Sequence, residues 1–145
     1  MTFSVDYIQD QILAYLAAQM PGQKIVDQAI PDIQTVQRDA RGQIIPYVAV
    51  QFGDLQDDGT RSMIGVRGND YRMPIYVQSI APKPRDARRI SNKLTNVFLG
   101  ETFPWAGTVR KRAGGGMWPI TNSNNATEAY MSPASFSLVL ELANY

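Results

Sequence analysis

Residues 71–100, YRMPIYVQSIAPKPRDARRISNKLTNVFLG, restrict the fold more than any other stretch. Met73, Ile75 and Val77 share one face of a period-two pattern, with Tyr76 and Ile80 on the other, so the first part reads as a strand. Pro82-Lys83-Pro84 ends it. Pro84 suits a first helical turn, Asp86 suits the positive end of the helix dipole, and Gly100 suits the C-terminal cap. Between them Ala87, Ile90, Leu94, Val97 and Phe98 recur at helical spacing, which predicts an amphipathic helix over 84–99. Its single apolar stripe has to be buried on a neighbouring layer, and the strand that feeds it supplies a sheet. Pro74 lacks an N–H, which predicts that this strand lies at an edge or carries a bulge.

The rest of the chain fits the same class. Residues 4–19 read as a helix capped by Ser4, with Asp6 in the first turn and Val5, Ile8, Ile12, Tyr15 and Leu16 on one stripe; Met20-Pro21-Gly22 stops it. Residues 23–32 read as a connector in which Pro31 argues against a central strand. Segments 33–39 and 45–52 flank Ala40-Arg41-Gly42-Gln43 and predict a β-hairpin, the second strand having one core face and one half-exposed face. Residues 53–61 read as an acidic loop and 62–68 as a short extended segment. After the second helix, 101–107 is a turn-rich link, 108–112 a short basic strand, and 113–129 a mobile loop or arm rich in glycine and asparagine. Alternation of Ala134, Phe136, Leu138, Leu140 and Leu142 with Ser135, Ser137, Val139 and Glu141 makes the last segment the clearest strand. The expectation is a single α+β domain over residues 1–145. It is a mostly antiparallel sheet of five or six strands with two amphipathic helices on one face, plus long loops.

The sequence has 145 residues, no cysteine and no histidine. Disulfides, thiolate metal sites and thiol nucleophiles are therefore excluded, and the commonest general base and metal ligand are missing. Ser132, Ser135 and Ser137 have no histidine to activate them. The chain is expected not to be an enzyme and to need no cofactor or metal. No stretch approaches the roughly 20 apolar residues of a membrane helix. The opening MTFSVDYIQD carries acids where a secretory leader has bases. The expected setting is the cytoplasm, or a particle assembled there.

Charge is unevenly distributed. Residues 1–58 carry three cations against eight aspartates, and residues 59–145 eleven cations against five acids. Opposite charge on opposite sides favours head-to-tail contact between copies. Arg85, Arg88, Arg89 and Lys93 form a basic stripe behind the second helix, readable as a solvated face, as an interface with a neighbour, or as a nucleic-acid contact. Asp54, Asp57 and Asp58 do not follow a calcium-loop pattern and read as a solvated loop or as partners for nearby bases such as Arg61 and Arg67. Gly114-Gly115-Gly116 is not followed by Lys-Ser/Thr, so it is not a phosphate loop. Met117 and Trp118 read as anchors for a partner subunit or as side chains folded onto their own core; with Asp54, Asp57, Asp58, Arg61, Arg67, Arg85, Arg88, Arg89, Lys93, Arg110 and Arg112 they make thirteen candidate subunit-interface residues.

The order of parts resembles the tail terminator (tail completion, head–tail joining) proteins of long-tailed bacteriophages. The likeness lies in the helix SVDYIQDQILAYL, the hairpin ending in YVAVQFGD, the strand MPIYVQSIA leading through prolines into DARRISNKLTNVFLG, and the closing strand SFSLVLEL. It covers nearly the whole chain, rests on layout and hydrophobic pattern, and leaves 113–129 unmatched. The resemblance implies a virion structural protein at the tail–neck junction. Its copies would close a ring, usually six-fold, that caps the tail tube and ends its polymerisation. The tail tube protein, the head connector and genomic DNA threading the channel without sequence recognition would be its partners. Another connector or tube component, or a small nucleic-acid-binding module using the 84–99 helix, are the alternatives.

Overall fold

The structure, a computed structural model, describes residues 4–27, 37–57, 70–101, 103, 109–114, 117–121 and 126–141. Helix α1 spans Val5–Gln19 and starts where the Ser4 hydroxyl accepts the Tyr7 amide at 3.1 Å. Gly22, at φ +80°, turns the chain out of it. Helix α2 spans Pro84–Phe98. Its N-cap, Lys83, makes no side-chain cap bond, so the start relies on Pro84, whose fixed φ suits the first turn. Gly100, at φ +79°, takes the left-handed conformation that closes the other end.

Seven strands form one sheet: β1 (Lys24–Asp27), β2 (Tyr47–Phe52), β3 (Gln56–Asp57), β4 (Asp70–Ala81), β5 (Val109–Gly114), β6 (Trp118–Thr121) and β7 (Thr127–Glu141). The order across it is β1-β2-β4-β7-β5, with β3 on β4 and β6 on β7. Every pairing is antiparallel except β1 with β2. Both helices pack on one face, as their stripes predict. Ile8, Ile12 and Leu16 of α1 and Leu94 and Phe98 of α2 share a core with Val48, Val50, Met73, Ile75, Val77, Phe136 and Leu138. The Phe98 ring meets Phe136 edge-on at 5.1 Å, and the Tyr15 hydroxyl donates to the Val97 carbonyl at 2.6 Å, tying α1 to α2.

The structure corrects several expectations. The 23–32 connector contains β1, an edge strand parallel to β2; its four residues are too few to show a period. The 40–43 turn forms around Gly42 (φ +80°), with Arg38 bridged to Ile44, but the following strand begins only at Tyr47 and pairs with β1 and β4. Residues 33–36 lie outside the described residues. The second face of β2 is buried at Tyr47 and Ala49 and exposed at Gln51. Tyr47 and Ala49 pack with Ile44, Ile80 and Ala129 in a smaller core on the far side of the sheet. Ile44 reaches it on a turn held down by the Arg38–Glu128 ion pair at 2.6 Å.

Pro74 sits inside a strand paired on both flanks, not at an edge. The bulge expected as the alternative is there: between Phe52–Ile75 and Gln56–Arg72 three residues, 53–55, stand opposite Met73 and Pro74. The proline is tolerated because β2 has ended one position earlier, at Phe52 opposite Ile75. There the Gly53 amide donates to the Pro74 carbonyl at 2.8 Å, so only the reciprocal bond is lost. Gly53 is fitted to this site: a Cβ on it would stand 3.1 Å from the Pro74 ring and 3.3 Å from the Tyr76 ring. The acidic loop is shorter than 53–61, since Gln56 and Asp57 pair with Arg72 and Tyr71. Residues 58–69, with the 62–68 segment, lie outside the described residues.

The glycine- and asparagine-rich stretch is not a loop over its described length. β5 runs on to Gly114, and β6 and β7 occupy Trp118–Thr121 and Thr127–Glu141. β5 and β6 follow one another along the same side of β7, so 109–121 behaves as one interrupted edge strand. The register slips between Lys111 and Ala113 and again between Ile120 and Thr121.

Candidate assembly surfaces

The helix layer has two sides of opposite charge. On α2, Arg85, Arg88, Arg89 and Lys93 are all exposed, with Asn92 and Asn96 between them. At 100° per residue they span an arc of about 140° on the side away from the sheet. The ion pair Arg89–Asp86, at 3.9 Å and well exposed, is too long and too wet to neutralise the stripe. Leu99, 44% exposed at the C-cap, adds an apolar end.

On α1 the exposed face holds Asp6, Tyr7, Asp10, Ala14, Ala17 and Ala18. Asp27 of β1 is exposed too, and its register with Val50 puts it on the helix side of the sheet. Lys24, the nearby cation, pairs in register with Tyr47 on the opposite side and donates to the Gln37 side chain at 3.3 Å. Because α1 packs over β1 and α2 over β4 and β7, the acidic helix lies nearer the β1 edge than the basic helix does. The candidates drawn from the sequence do not include the α1 face. The imbalance of eight aspartates in the first 58 residues is the signal that points to it.

The remaining candidates fall elsewhere. Arg110 is exposed on β5 and pairs in register with Ser137, which puts it on the far face of the sheet, away from the α2 stripe. Trp118, 59% exposed, opposes Met131 on the same far face; Met117 beside it is half-buried. Arg112 belongs to β5, where the register slips. Asp54 is exposed at the β2–β3 kink, and Asp57 follows in β3. Asp58, Arg61 and Arg67 lie outside the described residues. The candidates among the described residues therefore do not form one patch. Four make the α2 stripe, Arg110 and Trp118 lie on β5 and β6 with Met117 just before β6, Arg112 is also in β5, Asp54 follows β2 and Asp57 is in β3.

Among the described residues no three carboxylates gather closely enough to hold a metal ion, and no helix is long and apolar enough to cross a membrane. Two tyrosines are shifted. Burial, followed by the nearby Glu101 carboxylate, pushes the Tyr15 phenol above its usual value, and burial alone does the same at Tyr47. Both belong to the packing, Tyr15 between the helices and Tyr47 in the far-side core.

No protein-family model matches the sequence, and no curated protein matches it. Among solved structures the chain is similar to one from the "Virion of native gene transfer agent (GTA) particle", at a TM-score of 0.52 and 14% identity, over 93% of this chain and 90% of that one. At that identity the likeness is one of fold alone, over almost the full length of both chains.

Proposed function

We propose that this chain is a virion structural protein of the tail terminator type. Copies join side by side into a closed ring on the end of a tail tube, stop its growth and present a surface to the head connector, while DNA passes through the centre. The observation that carries the proposal is the fold shared end to end with a chain of a gene transfer agent virion, in a protein whose sequence resembles phage tail terminators in the order of its parts. The oppositely charged sides of the helix layer support it, because a ring needs two different, complementary surfaces on each subunit. The lack of histidine and cysteine supports a role without catalysis. The tail tube protein and the connector are the proposed partners, and the tail–neck junction of the particle is the proposed location.

Depletion of the protein during particle assembly tests this. Overlong tubes are expected. Absent tubes would make it a tube subunit, and normal joined particles would remove it from the tail altogether.

A second reading, a nucleic-acid-binding module, is favoured by the exposure of Arg85, Arg88, Arg89 and Lys93 along one helix face. It requires duplex DNA binding at moderate salt, with a salt slope that flattens when the three arginines become alanine.

A further inference from the structure

We infer that the exposed face of α1 is the docking site for the α2 stripe of a second copy of this chain. The inference rests on the ring proposed above and assigns its subunit contact.

Three features of the two faces match. Their charges are opposite: Asp6, Asp10 and Asp27 on one side, and Arg85, Arg88, Arg89 and Lys93, with Asp86 the acid among them, on the other. Their shapes are complementary as well. Ala14, Ala17 and Ala18 leave the α1 surface low, so the long aliphatic stems of arginine can lie across it while the guanidinium groups reach the aspartates near its start. Each face also has one exposed apolar side chain at its margin, Tyr7 at 42% and Leu99 at 44%. On a 100° wheel Leu99 falls within the basic arc, and Tyr7 lies across the exposed α1 face from Asp6. Leu99 lies about 15–21 Å along α2 from Arg85–Arg89, so with the arginines facing Asp6 and Asp10 it meets the alanine end of α1 while Tyr7 meets the other end of α2, and burying both side chains supplies the apolar contact that solvent-exposed ion pairs alone do not.

The alternative route, strand addition from sheet to sheet, is disfavoured on one side. The β5–β6 edge changes register twice and contains Pro119, so its outward N–H and C=O groups are not evenly spaced. The β1 edge offers four residues. Because the acidic and basic faces belong to different helices, the contact is heterologous and each subunit keeps both halves available.

Charge exchange tests the contact. The full-length protein is prepared in three forms: Asp6→Lys with Asp10→Lys, Arg85→Glu with Arg88→Glu and Arg89→Glu, and one chain bearing all five changes. Native mass and sedimentation are measured against protein and salt concentration. The wild type is expected to associate, more weakly as salt rises. Each one-sided exchange should weaken association by about a hundredfold or more, because like charges then meet. An equimolar mixture of the two one-sided variants should associate again, since alternating copies present only opposite pairs, and so should the five-fold variant. Asp10→Lys alone, outside the first turn, separates charge from any effect on the start of α1, and circular dichroism checks that each variant is folded. One-sided variants that assemble like the wild type would overturn this contact and leave the ring standing. Loss of assembly with no recovery in the mixture or in the five-fold variant would overturn it too. A wild type that stays monomeric at every concentration would overturn both the contact and the ring.

Discussion

The two faces of the sheet are closed by different means. Under the helices, large side chains from α1, α2 and four strands meet in one continuous core, with Phe98 and Phe136 at its centre. Among the described residues, a smaller core forms on the far side, where Ile44 comes down on Tyr47, Ala49, Ile80 and Ala129 with Val26, Ile120 and Met131 against it, while Tyr76 and Trp118 stay exposed on that side of the sheet. The first face is built from periodic elements that each bring a stripe. In the second, Ile44 is brought into place by a turn and the Arg38–Glu128 ion pair. A face closed by periodic stripes spreads its stability over many residues; a face closed by a turn concentrates it in a few.

Substitutions on either side give that contrast magnitudes. Phe98→Ala should cost about 3–5 kcal/mol, read from the urea midpoint, because the buried ring leaves a cavity between α2 and β7. A loss under about 1 kcal/mol would mean that the helix layer is not the main core. Ile80→Ala should cost about 2 kcal/mol, at the low end for such a truncation, because the far-side cluster is small and its Ile44 turn can settle into the space. A cost equal to that of Phe98→Ala would erase the difference between the faces.

The smallest effect is expected at high pH. Tyr15 and Tyr47 both hold their protons more tightly in the folded chain than the ordinary phenol value of about 10 allows. Their contribution to folding is therefore complete below pH about 10 and is lost as pH rises through the folded values. Alkaline unfolding followed by circular dichroism should begin above that pH and move upward in Tyr15→Phe and in Tyr47→Phe. A shift in Tyr15→Phe alone would mean that only the helix-covered side excludes water.

Much of the helix-covered face is legible in the sequence. Both helices carry their own punctuation, Ser4 at one start, Pro84 at the other and Gly100 at an end, and β7 alternates over a long run. The far face is not, because what closes it is tertiary. A four-residue strand paired in parallel, β1, has no local signature. Trp-Pro-Ile-Thr becomes β6 because β7 is there to pair with it, against the propensity of its proline and the glycines before it. Pro74 does mark an irregularity, the bulge between β2 and β3, but that its strand is central and not an edge depends on tertiary pairing.

At the surface, the exposed α2 stripe follows directly from the helical wheel. The acidic α1 face does not stand out until α1 and α2 are placed side by side, because two aspartates on a helix are ordinary until a basic neighbour lies across from them.

The uneven edge along 109–121 also bears on what happens when many copies crowd together. A clean, flat edge strand is a template on which another chain can zip up in register, and then another, with no natural end. Here two register slips and a proline spoil the template, so sheet-to-sheet growth into a fibre has no regular seam to follow. Copies crowded together therefore find no regular seam for backbone pairing along this edge.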